Sequence, residues 1–192
     1  MSEFLKLQKG NFLNLSKGLE KVKIGLSWDP SVTGDLADLD LNLFLLKNGK
    51  LQSAEDAMFY GNPKKIKGIE KSGDNRDGKG EGDDESAIIS FTDLDPSVDK
   101  IIILASIYNK VDENNQPIEP IKTFITVKNA KIDLMNESTG EKLCEFSLTD
   151  DFSTEIVVEF AELIKQGQTW QFKALGNGTN NNLSDVAFSY TH

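Results

Sequence analysis

The chain has one cysteine, Cys144, in 192 residues. No internal disulfide can form, which fits a reducing compartment. Histidine is as scarce: His192 is the last residue and the only one. That argues against histidine-dependent catalysis and against histidine-ligated zinc. Basic residues are outnumbered, 21 against 31 acids, for a formal net charge of -10. Such a chain repels phosphate backbones and attracts cations, so nucleic acid is a poor expectation. No stretch approaches the roughly 20 apolar residues of a membrane helix. The opening, MSEFLKLQKGNF, lacks the apolar run of a signal peptide, and the expected location is the cytoplasm. A 38% hydrophobic content is enough for an ordinary core, and the length suits one domain over 1–192.

What is present is alternation. In KVKIGLSW, Val22, Ile24, Leu26 and Trp28 share one face, the period of a half-buried strand. In DLDLNLFLL, Leu39, Leu41, Leu43 and Leu45 share one face while Asp38, Asp40 and Asn42 share the other. Asn48-Gly49 marks a tight turn. SAEDAMFY then either pairs partly with the preceding strand or forms a short helical turn. AIISF, IIILASIY, TFITV, AKIDLMN and KLCEFSL read as further strands, with Ser138-Thr139-Gly140 turning the last two. EIVVEFAELI fits either a helical stripe or a strand, and its β-branched residues with the KQGQ turn favour a hairpin with TWQFKAL. The glycine- and asparagine-rich tail from Gly176 starts as irregular chain. The expectation is two packed antiparallel sheets of about eight to ten strands. Trp28 and Trp170 read as core anchors, and Cys144 as a packing residue without a base to activate it.

Residues 73 to 85, GDNRDGKGEGDDE, carry six acids and four glycines. A P-loop would match GxxxxGK, but Gly80 stands where Ser or Thr is needed, and no strand and helix flank the stretch. An EF-hand would match Asp74 and Glu85 as its outer ligands, but Arg76, Gly78 and Lys79 break the inner pattern. Calcium bound in another geometry fits better. Asp74, Asn75, Asp83, Asp84 and Glu85 offer side-chain oxygens, and Gly78, Gly80 and Gly82 let the backbone turn carbonyls inward. A second acidic segment, DPSVTGDLADLD, adds Asp29, Asp35, Asp38 and Asp40. On a strand Asp38 and Asp40 project to one face, roughly 7 Å apart, and repel unless a cation or proton intervenes. If the two segments meet, one or two calcium ions suit the cluster. Against this stands the plainer reading, a solvated acidic turn.

The loop GDNRDGKGEGDDE resembles the defining motif of the TerD family of bacterial tellurite-resistance and general stress proteins. LSWDP at 26–30, ADLDLNLFLL at 37–46 and MFYGNP at 58–63 resemble the family's elements before the loop. PSVDKIIILASIY at 96–108 and the stretch from Ser138 to Gly178 resemble those after it. The resemblance implies an all-β sandwich with calcium-binding acidic loops, and a hairpin over 155–174. It implies ligands from Asp38, Asp40, Asp74, Asn75, Asp83, Asp84 and Glu85, with backbone oxygens near Gly78 and Gly80. It further implies a stress-response binding or scaffold module without catalysis. Its partners would be other stress-response or Ter-type proteins, including membrane-associated ones, with no nucleic acid and no identified small-molecule substrate. The alternatives are a metal-dependent enzyme that uses the ion as a Lewis acid, and a scaffold with purely structural calcium. Ser27, Asp77 and the TNNNL after Gly178 depart from the family pattern.

Overall fold

A computed structural model of the protein describes residues 4–29, 38–59, 61–62, 65–71, 83–114, 117–148, 152 and 154–192. In chain order its strands are β1 (Leu5–Leu7), β2 (Phe12–Asn14), β3 (Lys21–Asp29), β4 (Leu39–Lys47), β5 (Ala57–Met58) and β6 (Ile69–Lys71). There follow β7 (Glu85–Ser90), β8 (Val98–Ile107), β9 (Lys128–Asn136), β10 (Glu141–Ser147), β11 (Val157–Gln166) and β12 (Thr169–Thr179). Among the described residues one short α-helix, α1 (Leu183–Ser189), follows β12. The strands form two six-stranded sheets, ordered β1-β10-β9-β3-β7-β6 and β2-β12-β11-β8-β4-β5. Among the described residues every strand pairing is antiparallel except β1 with β10.

The alternation sets the core. Val22, Ile24, Leu26 and Trp28 of β3 pack in one cluster with Leu39, Leu41, Leu43 and Leu45 of β4 and with Ile101 and Ile103 of β8. Fully burying one such side chain is worth about 2 kcal/mol. Unlike a strand with one wet face, β4 is buried on both. Its other face carries Phe44 and Leu46, which join Ile102, Leu104, Val157 and Val186 of α1 in a second apolar cluster. The helix is held there by its cap and its end. Asn182 Oδ1 accepts from the Asp185 N–H at 2.9 Å, and the Tyr190 carbonyl accepts from the Leu51 N–H at 2.8 Å.

The expected two-sheet architecture is present, with both tryptophans and Cys144 buried. Asn48 and Gly49 take φ of 53° and 72°, the left-handed pair that a tight turn of this kind needs. The hairpin of β11 and β12 is formed, so the ambiguous segment is a strand. The strand count exceeds eight to ten because β1, β2, β5 and β6 are edge pieces of two or three residues, too short to alternate visibly. SAEDAMFY does both things considered: a 3-10 turn at Ala54–Asp56, then β5 on β4. TFITV is corrected from strand to a 3-10 turn at Phe124–Thr126, in which Phe124 alone is buried. Its N–H donates to the Glu155 carbonyl at 2.9 Å, so this anchor overrides the β-propensity of its neighbours. The tail is corrected too. β12 runs to Thr179 and α1 follows, because the apolar side of Val186 and Leu183 has the second cluster to cover.

Candidate metal centre

The end of the acidic motif is fixed by β3. Glu85 pairs with Leu26 and Ser86 with Gly25, which puts the Glu85 side chain on the inner face of its sheet. The Asp84 N–H donates to the Leu26 carbonyl at 2.9 Å, and Asp84 Oδ2 accepts from the Trp28 N–H at 3.0 Å. The Asp84 carboxylate thus continues the ladder where β7 leaves it, and satisfies a buried donor.

Glu85 reaches across to the other sheet. β5 covers β4 only at Leu43 and Phe44. The Leu41 N–H, beyond that cover, donates to Glu85 Oε2. Glu85 Oε1 lies 3.5 Å from Lys71 Nζ, and the Glu85 side chain has 0% exposure. Burial pushes the Glu85 carboxyl up to about 7, and the nearby Asp40 charge pushes the same way. The Leu41 N–H and Lys71 oppose that rise without overcoming it. An ionised Glu85 is therefore a carboxylate whose surroundings underpay its desolvation. A hard cation beside it would supply the missing charge.

Glu85 therefore reaches the start of β4, where it feels the charge of Asp40, and Asp84 precedes it in the chain. Asp38 precedes this strand, and its carbonyl accepts from the Tyr108 N–H at 3.0 Å. Asp40 is 6% exposed and opposes Ser106 on the face away from Leu39 and Leu41, so it flanks β4 on the side opposite the inner core. Asp83 is placed elsewhere. It pairs with Lys23 at 2.7 Å and lies over Gly25, on the outer face of its sheet, whereas Glu85 is on the inner face. Asp74, Asn75, Gly78 and Gly80 lie outside the described residues. Among the described residues, no group of three or more His, Cys, Asp or Glu is placed to hold a metal. The described part of the junction is thus an oxygen-only fragment. Oxygen donors of this kind are the type that calcium takes.

Sequence reasoning missed Lys71 and Lys23, the ammonium groups on Glu85 and Asp83, since isolated lysines on strands carry no signal. It also missed the role of Ser106. Asn42 Nδ2 donates to the Asp40 carbonyl and to Ser106 Oγ, both at 2.9 Å, making a buried polar floor beside Asp40.

Two six-stranded sheets with an acidic junction at one end define an acidic β-sandwich protein. The TerD domain family matches residues 4–190. The chain is 36% identical to tellurium resistance protein TerD of Serratia marcescens, over 96% of this chain and 95% of that one. It is 34% identical to general stress protein 16U of Bacillus subtilis (strain 168), over 97% and 96%. A solved homologue of telluride resistance protein (TerD) from Streptomyces coelicolor A3(2) superposes with a TM-score of 0.64 at 21% identity, covering 88% of this chain and 96% of that one. The chain belongs to the TerD family of tellurium-resistance and general stress proteins.

Proposed function

We propose that this protein is a calcium-dependent binding or scaffold module of the stress response, not a catalyst, working in the cytoplasm with other stress-response or Ter-type proteins. The observation that carries the reading is Glu85: a buried carboxyl in contact with the DLD strand, raised to about 7 and close to the charge of Asp40. Crowding of this kind is tolerated when a divalent ion shares the oxygens. Asp38, Asp40, Asp84 and Glu85 supply oxygens from the described residues. Asp74, Asn75 and the backbone near Gly78 and Gly80 complete the set for one or two ions. Asp83 takes part only if it leaves Lys23. Bound calcium stabilises the folded state by mass action and fixes the surface that a partner reads. Calorimetric titration of calcium tests this. The expected result is saturable binding of one or two ions, weakened by Asp40→Asn and by Glu85→Gln. Absence of calcium heat and of saturation overturns the reading.

A further inference from the structure

The outer face of the second sheet holds a cleft of about 710 Å³ between the start of β4, the chain after β8 and the start of α1. Its floor is Asp40, Asn42 and Ser106, and Phe59, Tyr108 and Asp185 are among the residues around it. Asn42 is fully buried. Both its Nδ2 hydrogens are used, on the Asp40 carbonyl and Ser106 Oγ, while Oδ1 is buried with no hydrogen-bond partner. Reversing the amide would aim its oxygen at the Asp40 carbonyl oxygen, so this orientation is set by the network. A buried acceptor left without a donor is costly, and a ligand that donates there recovers that cost. Asp40 and Asp185 add two acids, and among the described residues none that lines the cleft is Lys, Arg or His. The walls include two aromatic rings, and Tyr108 is 47% exposed.

We infer that this cleft binds a primary ammonium group carried on an apolar stem. An ammonium has three donors and no acceptor, which suits Asn42 Oδ1 and the flanking carboxylates. The aromatic walls favour both the cation and its stem. Anions are disfavoured, since none of the described lining residues is cationic and two are acids. This inference shares Asp40 with the calcium reading but does not depend on it, because Asn42, Tyr108 and Asp185 belong to no proposed calcium set.

The test is calorimetric titration at fixed salt, in EDTA and again in saturating calcium. The probes are 1,4-diaminobutane, the capped peptide acetyl-Gly-Lys-Gly-amide, and glutarate as an anion of similar size. Saturable binding of the diamine, the peptide or both is expected, with glutarate silent. The diamine alone assigns the site to a free amine, and the peptide alone to a partner's lysine. Asp185→Asn should weaken binding about two- to fivefold. Tyr108→Ala should weaken it by a similar, about two- to fivefold, factor. Both alter exposed side chains and leave the fold intact. Asn42→Leu should abolish binding if it folds. No saturation with either amine, equal binding of glutarate, or unchanged affinity in both surface variants overturns the inference. Amine binding in EDTA by a protein that shows no calcium heat would separate this inference from the calcium reading.

Discussion

Replacing Glu85 by glutamine removes the buried charge and keeps a carbonyl oxygen for the Leu41 N–H. The Glu85 carboxyl is raised from 4.5 to about 7 in the folded state. A raised carboxyl binds its proton more tightly folded than unfolded. Its stabilising contribution is therefore complete below pH 4.5 and is lost as pH rises through about 7. The shift corresponds to about 3 kcal/mol, an order of magnitude for so buried a group. Without calcium, the wild type should lose stability across this window more steeply than Glu85→Gln, which lacks the titration. The two should be close near pH 4.5, and the variant should be the more stable at pH 8. Urea unfolding in EDTA at several pH values measures the difference. Asp95, held down to about 2 by Ser97 and Lys47, titrates below this window and cancels between the two proteins. Saturating calcium should reverse the order at pH 8, because it favours the ionised carboxylate. Parallel pH curves for the two proteins in EDTA would refute the reasoning.

Two further outcomes follow from packing. A Cβ at Gly25 would lie 2.2 Å from the Asp83 carboxyl carbon, so Gly25→Ala must displace Asp83 from Lys23. The expected cost is about 1–3 kcal/mol in urea unfolding, and Asp83→Ala should remove most of it; an undiminished cost in the double variant contradicts the placement of Asp83. Cys144 is fully buried and its thiol is pushed up to about 12, mainly by desolvation. A disulfide reagent at pH 8 should label it only on unfolding, and rapid labelling of the native protein would contradict this burial.

Much of this architecture is legible in the residues, and the limits are physical. Long strands such as β3 and β4 reveal themselves because alternate side chains enter one core over nine residues. β5, with two residues, has no period to read. That Leu39 and Asp40 take opposite faces of β4 is legible. What covers the Asp40 face is not, because α1 comes from the polar tail and docks through only a few apolar residues. The convergence of Glu85 on the DLD strand is anticipated by charge repulsion and by resemblance. Its means, an open N–H at Leu41 beyond the short cover of β5, depends on strand pairing that only the structure supplies. Asp83 shows the limit of reading ligands from a run of acids. Asp83 precedes β7, whose first residue is Glu85, so the two acids do not share a face although they are two residues apart, and Lys23 on β3 captures Asp83.

Thermal unfolding of the same protein at pH 7.5, in EDTA and in excess calcium, tests the shared-cation account most directly. Calcium bound only by the folded state at a hundredfold excess over its dissociation constant adds about 2.7 kcal/mol, a shift of roughly 5–11 °C for a chain of this size. The account predicts a higher midpoint in calcium, with the gain reduced in Glu85→Gln. Coincident melts in the two buffers would contradict it.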